Sequence, residues 1–282
     1  MRDALPIVIG KVVSCNVLTT AYLSGASMNP ARSFGPAVVS GNVRSHYIYW
    51  IGPIFGALFA ALFHFLFIST SLATTAVSRP IYSFFAKIHN SIVLFGRTKN
   101  GFPIRRMFVE FVATLILVVC AGFIVNSLGN PTLRQRSTLI GASLRESEVE
   151  NLICFCLVGG FSKSVLVAVF GPYSGGYFTP AVTLSAVLAG RFDGSVMLAI
   201  GYIVAQCIGS IVACAFLLLL PPQLGATTAI IPTTQPGPSY TVANALGAEV
   251  FVTFILVSTP SLRFATVRSF LNLTLASRRS AI

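Results

Sequence analysis

Three observations in the sequence predict an all-α membrane protein of six transmembrane helices and two re-entrant half-helices. First, 55% of the 282 residues are hydrophobic and only 9% are charged, and the mean hydropathy is +0.83, which leaves too little polar surface for a water-soluble domain. Second, six stretches each run to about 20 mostly apolar residues, the length that crosses a bilayer. Third, two shorter apolar segments each begin at a Pro-Ala dipeptide and are too short to cross.

The spans lie at about Leu5–Leu23, His46–Ile68, Ile104–Val125, Leu152–Phe170, Ser195–Leu219 and Val242–Leu262. The opening MRDALPIVIG has a thin charged start, but the apolar run behind it is too long for a signal peptide and leads to no cleavage site. The short segments are Ala31–Val39 and Ala181–Ala189. Proline suits the first turn of a helix, where its missing N–H has no intrahelical partner, so both segments read as half-helices that enter the membrane and turn back.

Charge gives the topology. The net charge is +12, yet no basic stripe alternates with aromatics as a nucleic-acid surface requires, and the lysines and arginines gather at span ends. The stretch from Thr70 to Pro103 carries Arg79, Lys87, Arg97 and Lys99 with no acid and is expected in the cytoplasm. The loop Asn126–Asn151 balances three arginines against three glutamates, and Pro221–Tyr240 has no charge, so both are expected outside. The tail with Arg263, Arg268, Arg278 and Arg279 and the N-terminus with Arg2 are expected in the cytoplasm.

The six cysteines, Cys15, Cys120, Cys154, Cys156, Cys207 and Cys214, all fall in apolar stretches and read as buried thiols, not as disulfides or a zinc site. His46, His64 and His89 are scattered. With no Ser/His/Asp constellation, metal spacing or phosphate loop, the chain reads as neither an enzyme nor a cofactor protein.

An internal repeat is present. SGASMNPA (Ser24–Ala31) aligns without a gap on SGGYFTPA (Ser174–Ala181), and EFVATLILV (Glu110–Val118) aligns on EVFVTFILV (Glu249–Val257). In the second pair a Thr stands four residues after each Glu, one turn along the same helix face. Glu110 precedes Thr179 by 69 positions, whereas Glu249 reaches Asn29 over a comparable 62 positions only if the two chain ends are joined.

SGASMNPARSFGPAV and SGGYFTPAVTL resemble the two signature loops of the aquaporin, or major intrinsic protein, family, and the similarity extends over nearly all six spans. In that family the loop order is the reverse of the order here, so the chain resembles a circularly permuted member. On this reading, residues 1–72 hold the remainder of the second-signature half-repeat (two spans and the Asn-Pro-Ala half-helix) and 73–103 a cytoplasmic linker. Residues 104–220 hold the first-signature half-repeat (three spans and the Thr-Pro-Ala half-helix), and 221–282 the fourth family span and the cytoplasmic tail. A fusion of parts of two tandem genes, giving a non-conducting product, would leave the same order.

The resemblance implies roles for particular residues. Asn29-Pro30-Ala31 and Thr179-Pro180-Ala181 would open the half-helices and meet at the midplane, where helix N-termini carry partial positive charge that repels protons and cations. Thr179 departs from the family's usual Asn and offers one hydroxyl in place of two amide donors. Arg32 matches the selectivity-filter arginine, and by family spacing the other filter positions fall on Ala26, Val17 and Gly159. Small groups there imply a filter wider and less polar than that of strict water channels. Gly159 suits close helix packing equally well. Glu110 and Glu249 would accept hydrogen bonds from the signature-loop backbone. Leu117 and Leu256, each seven residues after its Glu, would line the pore or pack in the core. Ser33, Ala37, Tyr49 and Trp50 match the water-type pattern, and the combination resembles the vacuolar-membrane plant members and some invertebrate ones.

Lys163 is charged in mid-span, at an insertion cost of about 2.5–3.5 kcal/mol, and must therefore face protein or a water-filled cavity. It lies four residues after Gly159, on the same helix face. The resemblance implies a passive, homotetrameric channel in the lipid bilayer for water and small neutral solutes, excluding ions and protons, with no cofactor and no nucleic acid. A wide-filter channel for glycerol, urea, ammonia or peroxide is the first alternative. A secondary transporter, which also uses broken helices, would want more midplane acids than the paired glutamates supply. The expected location is the plasma membrane, with the vacuolar or another internal membrane as the alternative.

Overall fold

The computed structural model describes residues 4–64, 66, 104–128, 144–220 and 231–259. The helices among them are α1 (Leu5–Ser24), α2 (Pro30–Ser40), α3 (Ile48–Phe63), α4 (Ile104–Leu128), α5 (Leu144–Ser174), α6 (Pro180–Leu188), α7 (Val196–Leu218) and α8 (Val242–Thr259). Five of these are long and apolar enough to cross a membrane, and α3, at 16 residues, is a shorter apolar helix. The expected linker at 73–103, most of the Asn126–Asn151 loop ahead of α5, and the tail beyond 259 lie outside the described residues.

The helix bounds follow local chemistry. Both half-helices begin with Pro at the first position behind a capping side chain, Asn29 for α2 and Thr179 for α6, as the missing proline N–H favours. Gly41, at φ +70°, closes α2 in the left-handed conformation that glycine takes without a Cβ clash. The α5 helix starts at Leu144, ahead of the Leu152 expected from hydropathy, because the preceding LRESEVE is polar but made largely of good helix formers. Hydropathy marks where a span leaves the lipid, not where its hydrogen bonding stops.

The helices pack in two repeated sets, and a constant offset relates α1 and α2 to α5 and α6. Subtracting 150 carries Ser174 to Ser24, Thr179 to Asn29 and Gly160 to Gly10. Thus α5 and α6 repeat α1 and α2. Helix α4 packs on α7, α2 on α7, and α3 on α6, while α3 lies against α8, where Gly56 meets the Val250 backbone. The equivalent glycine of α7, Gly209, meets the Phe111 backbone on α4.

The two repeats join where α1 crosses α5. A side chain at Gly10 would collide with Ser164, and one at Gly160 would collide with Ser14. Each serine then donates across the crossing, Ser14 Oγ to the Cys156 carbonyl at 3.0 Å and Ser164 Oγ to the Pro6 carbonyl at 2.9 Å. Small residues let helix backbones approach closely where no hydrophobic effect drives helices together, and polar side chains then bond across the gap. On the outer surface, Phe161, Val165 and Val169 on α5 and Ile200, Val204 and Ile208 on α7 are exposed at four-residue spacing. Each set forms one apolar stripe, suited to lipid.

All six cysteines are free thiols; Cys156 and Cys214 are buried, whereas Cys15 and Cys154 are exposed on the apolar outer surface. The expectation that Cys15 and Cys154 are buried is thereby corrected: an apolar stretch in a membrane protein has a lipid face as well as a core.

Candidate functional site: two capped half-helices and the cavity between them

Each signature loop must descend into the membrane and turn back without leaving backbone groups unpaired. Its turn uses left-handed backbone at equivalent positions: Gly25, Ala26 and Met28 in one loop, and Gly175, Gly176 and Phe178 in the other. Five of those six positions fall on Gly or on the residue immediately ahead of the motif, and for Ala26, Met28 and Phe178 this conformation is strained. A buried glutamate holds each loop in it.

Glu249 Oε1 accepts from Ser24 Oγ at 2.7 Å and Ser27 N at 2.8 Å, and its Oε2 accepts from Met28 N at 2.8 Å. Glu110 Oε1 accepts from Ser174 Oγ at 2.6 Å and Tyr177 N at 3.3 Å, and its Oε2 accepts from Phe178 N at 2.7 Å. Two tyrosines complete the arrangement, Tyr49 OH donating to the Ser24 carbonyl at 2.8 Å and Tyr202 OH to the Ser174 carbonyl at 3.1 Å. Around the glutamates the repeats differ at Gln206, whose Nε2 donates to Glu110 Oε2 at 2.8 Å and to Thr183 Oγ1 at 3.2 Å, where α3 has Pro53.

The two tips meet. Asn29 Oδ1 accepts from Ala31 N at 3.0 Å and Arg32 N at 3.3 Å, which directs its amide nitrogen away from α2. One of that nitrogen's hydrogens goes to the Phe178 carbonyl across the junction at 2.9 Å; the other is available to the adjoining cavity. Thr179 Oγ1 accepts from Val182 N at 3.1 Å, so its single hydrogen is all it can offer. Pro30, Ala31, Pro180 and Ala181 are buried in the first turns, and Ala181 packs on Ala57 and Ala60 of α3.

A cavity of about 80 Å³ adjoins these tips, several times the space one water requires. Val17, Ala26, Asn29, Arg32, Gly159, Lys163, Thr179, Leu117 and Leu256 all line it, and so does Phe155, which the motif spacing does not single out. At Gly159 an added Cβ would meet nothing within 4 Å, so this glycine faces open space instead of a neighbouring helix. Arg32 Nη1 is buried and has no protein partner, and the guanidinium carbon lies 6.0 Å from the centre of the Phe155 ring. Lys163 is buried, donates to the Tyr177 carbonyl at 3.2 Å and lies 4.7 Å from the centre of the Phe178 ring. It thus touches both the Thr-Pro-Ala loop and the cavity.

Part of the loop expected at Pro221–Tyr240 covers the Arg32 end of α2. Thr234 Oγ1 donates to Ser33 Oγ at 2.8 Å, and Gly237 N donates to the Leu23 carbonyl at 3.1 Å. Among the described residues no group of three His, Cys, Asp or Glu could hold a metal ion.

Helices long and apolar enough to span the membrane, with two half-helices joined tip to tip beside a cavity, define an integral membrane protein whose two halves repeat one another. Residues 2–64 and 97–273 match the family described as Major intrinsic protein, and the chain belongs to that family. It is similar to aquaporin TIP4-1 of Arabidopsis thaliana, 59% identical over 51 residues, 18% of this chain and 20% of the relative. It is likewise similar to the probable aquaporin TIP2-2 of Arabidopsis thaliana, 54% identical over 77 residues, 27% and 31% of the two chains. A third relative is the probable aquaporin TIP2-1 of Oryza sativa subsp. japonica, 55% identical over 51 residues, 18% and 21% of the two chains. The chain thus spans between a fifth and a third of the length of these curated relatives in each alignment. No solved structure matches it.

Proposed function

We propose that the chain is a passive channel for water and small neutral solutes that excludes ions and protons. The observation that carries this reading is that Asn29, Thr179 and Arg32 line one cavity at the junction of the two half-helices. A solute there meets the positive ends of two helices, one amide donor, one hydroxyl and a guanidinium whose Nη1 has no protein partner. These groups offer hydrogen bonds to a neutral molecule and oppose a cation. Transport of this kind involves no bond-making chemistry, in keeping with a family of channels and not enzymes.

The further assignments rest on the same reading. Arg32, Ala26, Val17 and Gly159 form the filter; Leu117 and Leu256 line the lumen; Glu110 and Glu249 hold the loops. We read the halves as standing in permuted order, because the internal repeat reaches comparable spacing only through the joined ends. We place both termini in the cytoplasm, the assembly as a homotetramer, and the protein in a vacuolar membrane in preference to the plasma membrane, because its filter and water-type marks resemble those of vacuolar-membrane members.

Swelling of proteoliposomes in gradients of water, glycerol and urea tests the proposal. Wild-type vesicles should swell faster than empty ones, and Arg32→Ala should raise the flux of urea and glycerol relative to water several-fold. Vesicles that admit glycerol as readily as water before any substitution would mean a wide-filter channel. No swelling above the empty vesicles, at verified protein density, would mean a non-conducting product and end the channel reading.

Thr179→Asn provides a narrower test. By the two-fold relation, an asparagine amide at 179 would donate to the Met28 carbonyl as Asn29 donates to that of Phe178. Water permeability per protein should be equal or higher. A lower rate at equal density would show that the hydroxyl is matched to another solute.

A further inference from the structure

We infer that Phe155 is the specificity-determining wall of the filter, standing one helical turn from the position where the signature spacing places a glycine. The inference rests on the channel reading above and names the residue that sets its size limit. Three small or aliphatic groups, Val17, Ala26 and Gly159, leave Arg32 with little to narrow the passage, and a Cβ added at Gly159 reaches nothing within 4 Å. Phe155 precedes Gly159 by four residues, so its side chain emerges on the same face of α5. It lines the cavity together with those groups.

Its ring is held on both sides. It packs against the cluster formed by Val13, Val17, Ala26 and Cys156, and the Arg32 guanidinium carbon lies 6.0 Å from its centre, within the range of a cation–π contact. The Phe155 ring and the Arg32 guanidinium are thus neighbouring walls of one cavity, with the recess at Gly159 beside them. Gly159 supplies no side chain to the passage, and Phe155, about 6 Å away along the helix axis, supplies a ring to the same cavity. This reconciles the small residues at the spaced filter positions with the water-type marks Ser33, Ala37, Tyr49 and Trp50. The lumen is narrow, and it discriminates against three-carbon polyols in favour of water.

The experiment compares wild type, Phe155→Ala, and the double variant Phe155→Ala/Gly159→Phe in proteoliposomes of equal protein density, reading the ratio of glycerol to water permeability. Phe155→Ala should raise the ratio at least tenfold, and Gly159→Phe should bring it back towards wild type by restoring a ring to the same lumen. An unchanged ratio in Phe155→Ala overturns the inference. So does a raised ratio that the second ring fails to lower, because loosened packing would then be admitting the glycerol.

A second readout does not depend on conduction. Phe155→Cys should react with a water-soluble thiol reagent above the wild-type background, whereas Phe161→Cys, on the exposed outer face of the same helix, should not. If wild-type vesicles fail to swell, the channel reading falls. Labelling at 155 then still decides whether Phe155 faces an aqueous lumen, and its absence overturns the inference.

Discussion

Glu249→Ala should yield almost no folded protein. The carboxylate takes hydrogen bonds from Ser24 Oγ, Ser27 N and Met28 N, all inside a loop with left-handed backbone at Ala26 and Met28. Each donor left unsatisfied in a buried site costs about 1–3 kcal/mol. The three together approach the roughly 5–15 kcal/mol that separates a folded chain from an unfolded one, before the loop strain is added. Glu249→Gln should be milder, since an amide keeps one acceptor but opposes one of the donors. Size-exclusion profiles and melting in detergent would check this: the alanine variant is expected to aggregate or to melt more than 10 °C below wild type, with glutamine between. An alanine variant that melts with the wild type would mean that Glu249 does not hold the loop. Glu110→Ala should behave similarly, because Glu110 carries the matching bonds and an additional one from Gln206.

Lys163→Ile should make the membrane leak cations. Lys163 lines the cavity beside Thr179, at the tip that has one hydroxyl where its partner tip has an amide. A fixed positive charge about 6 Å from a passing cation opposes it by about 3 kcal/mol at an effective dielectric constant near 20, a factor of about 100 in flux. Removing it should raise potassium and proton conductance by one to two orders of magnitude and urea flux by a smaller factor. Some stability should go as well, since the Tyr177 carbonyl loses its donor; the comparison must be made at equal density of intact protein. Ion, urea and water permeability all unchanged would place Lys163 outside the conducting path and leave it only the carbonyl bond.

How much of this was legible in the sequence depended on whether the signal was local. Pro30 and Pro180 announce the half-helices because the first turn of a helix is where proline fits. Glu110 and Glu249 stand out because a carboxylate in an apolar run demands a partner. The identity of that partner was less legible: Ser24 and Ser174 open both motifs, yet that their hydroxyls donate to the glutamates depends on helices 64 and 225 residues apart coming together. Gln206 and Tyr202 on α7 carried no motif at all, although a glutamine in so apolar a helix was a hint, a polar amide in lipid being as costly as any other unpaired polar group. Phe155 was hidden by the spacing itself, which points to Gly159 and passes over a ring on the next turn. Lys163 was legible as a burial problem, but its two neighbours, the Tyr177 carbonyl and the Phe178 ring, belong to a loop whose path only the folded chain defines.

The reciprocal contact of Gly10 with Ser164 and of Gly160 with Ser14 works as a vernier on depth. Each serine stands ten residues before the serine that ends its helix, Ser24 or Ser174, and five residues beyond those ends come Asn29 and Thr179. Sliding α1 along α5 by a single residue shifts it about 1.5 Å, which drives both serines out of their notches together. The same slide would stretch the 2.9 Å bond from Asn29 to the Phe178 carbonyl beyond bonding range. Two notches at the helix crossing thereby keep two tips level some fifteen residues further along each chain. An insertion or deletion between Ser14 and Ser24, or between Ser164 and Ser174, would leave both signature loops intact and still bring the tips to the membrane's centre at unequal heights.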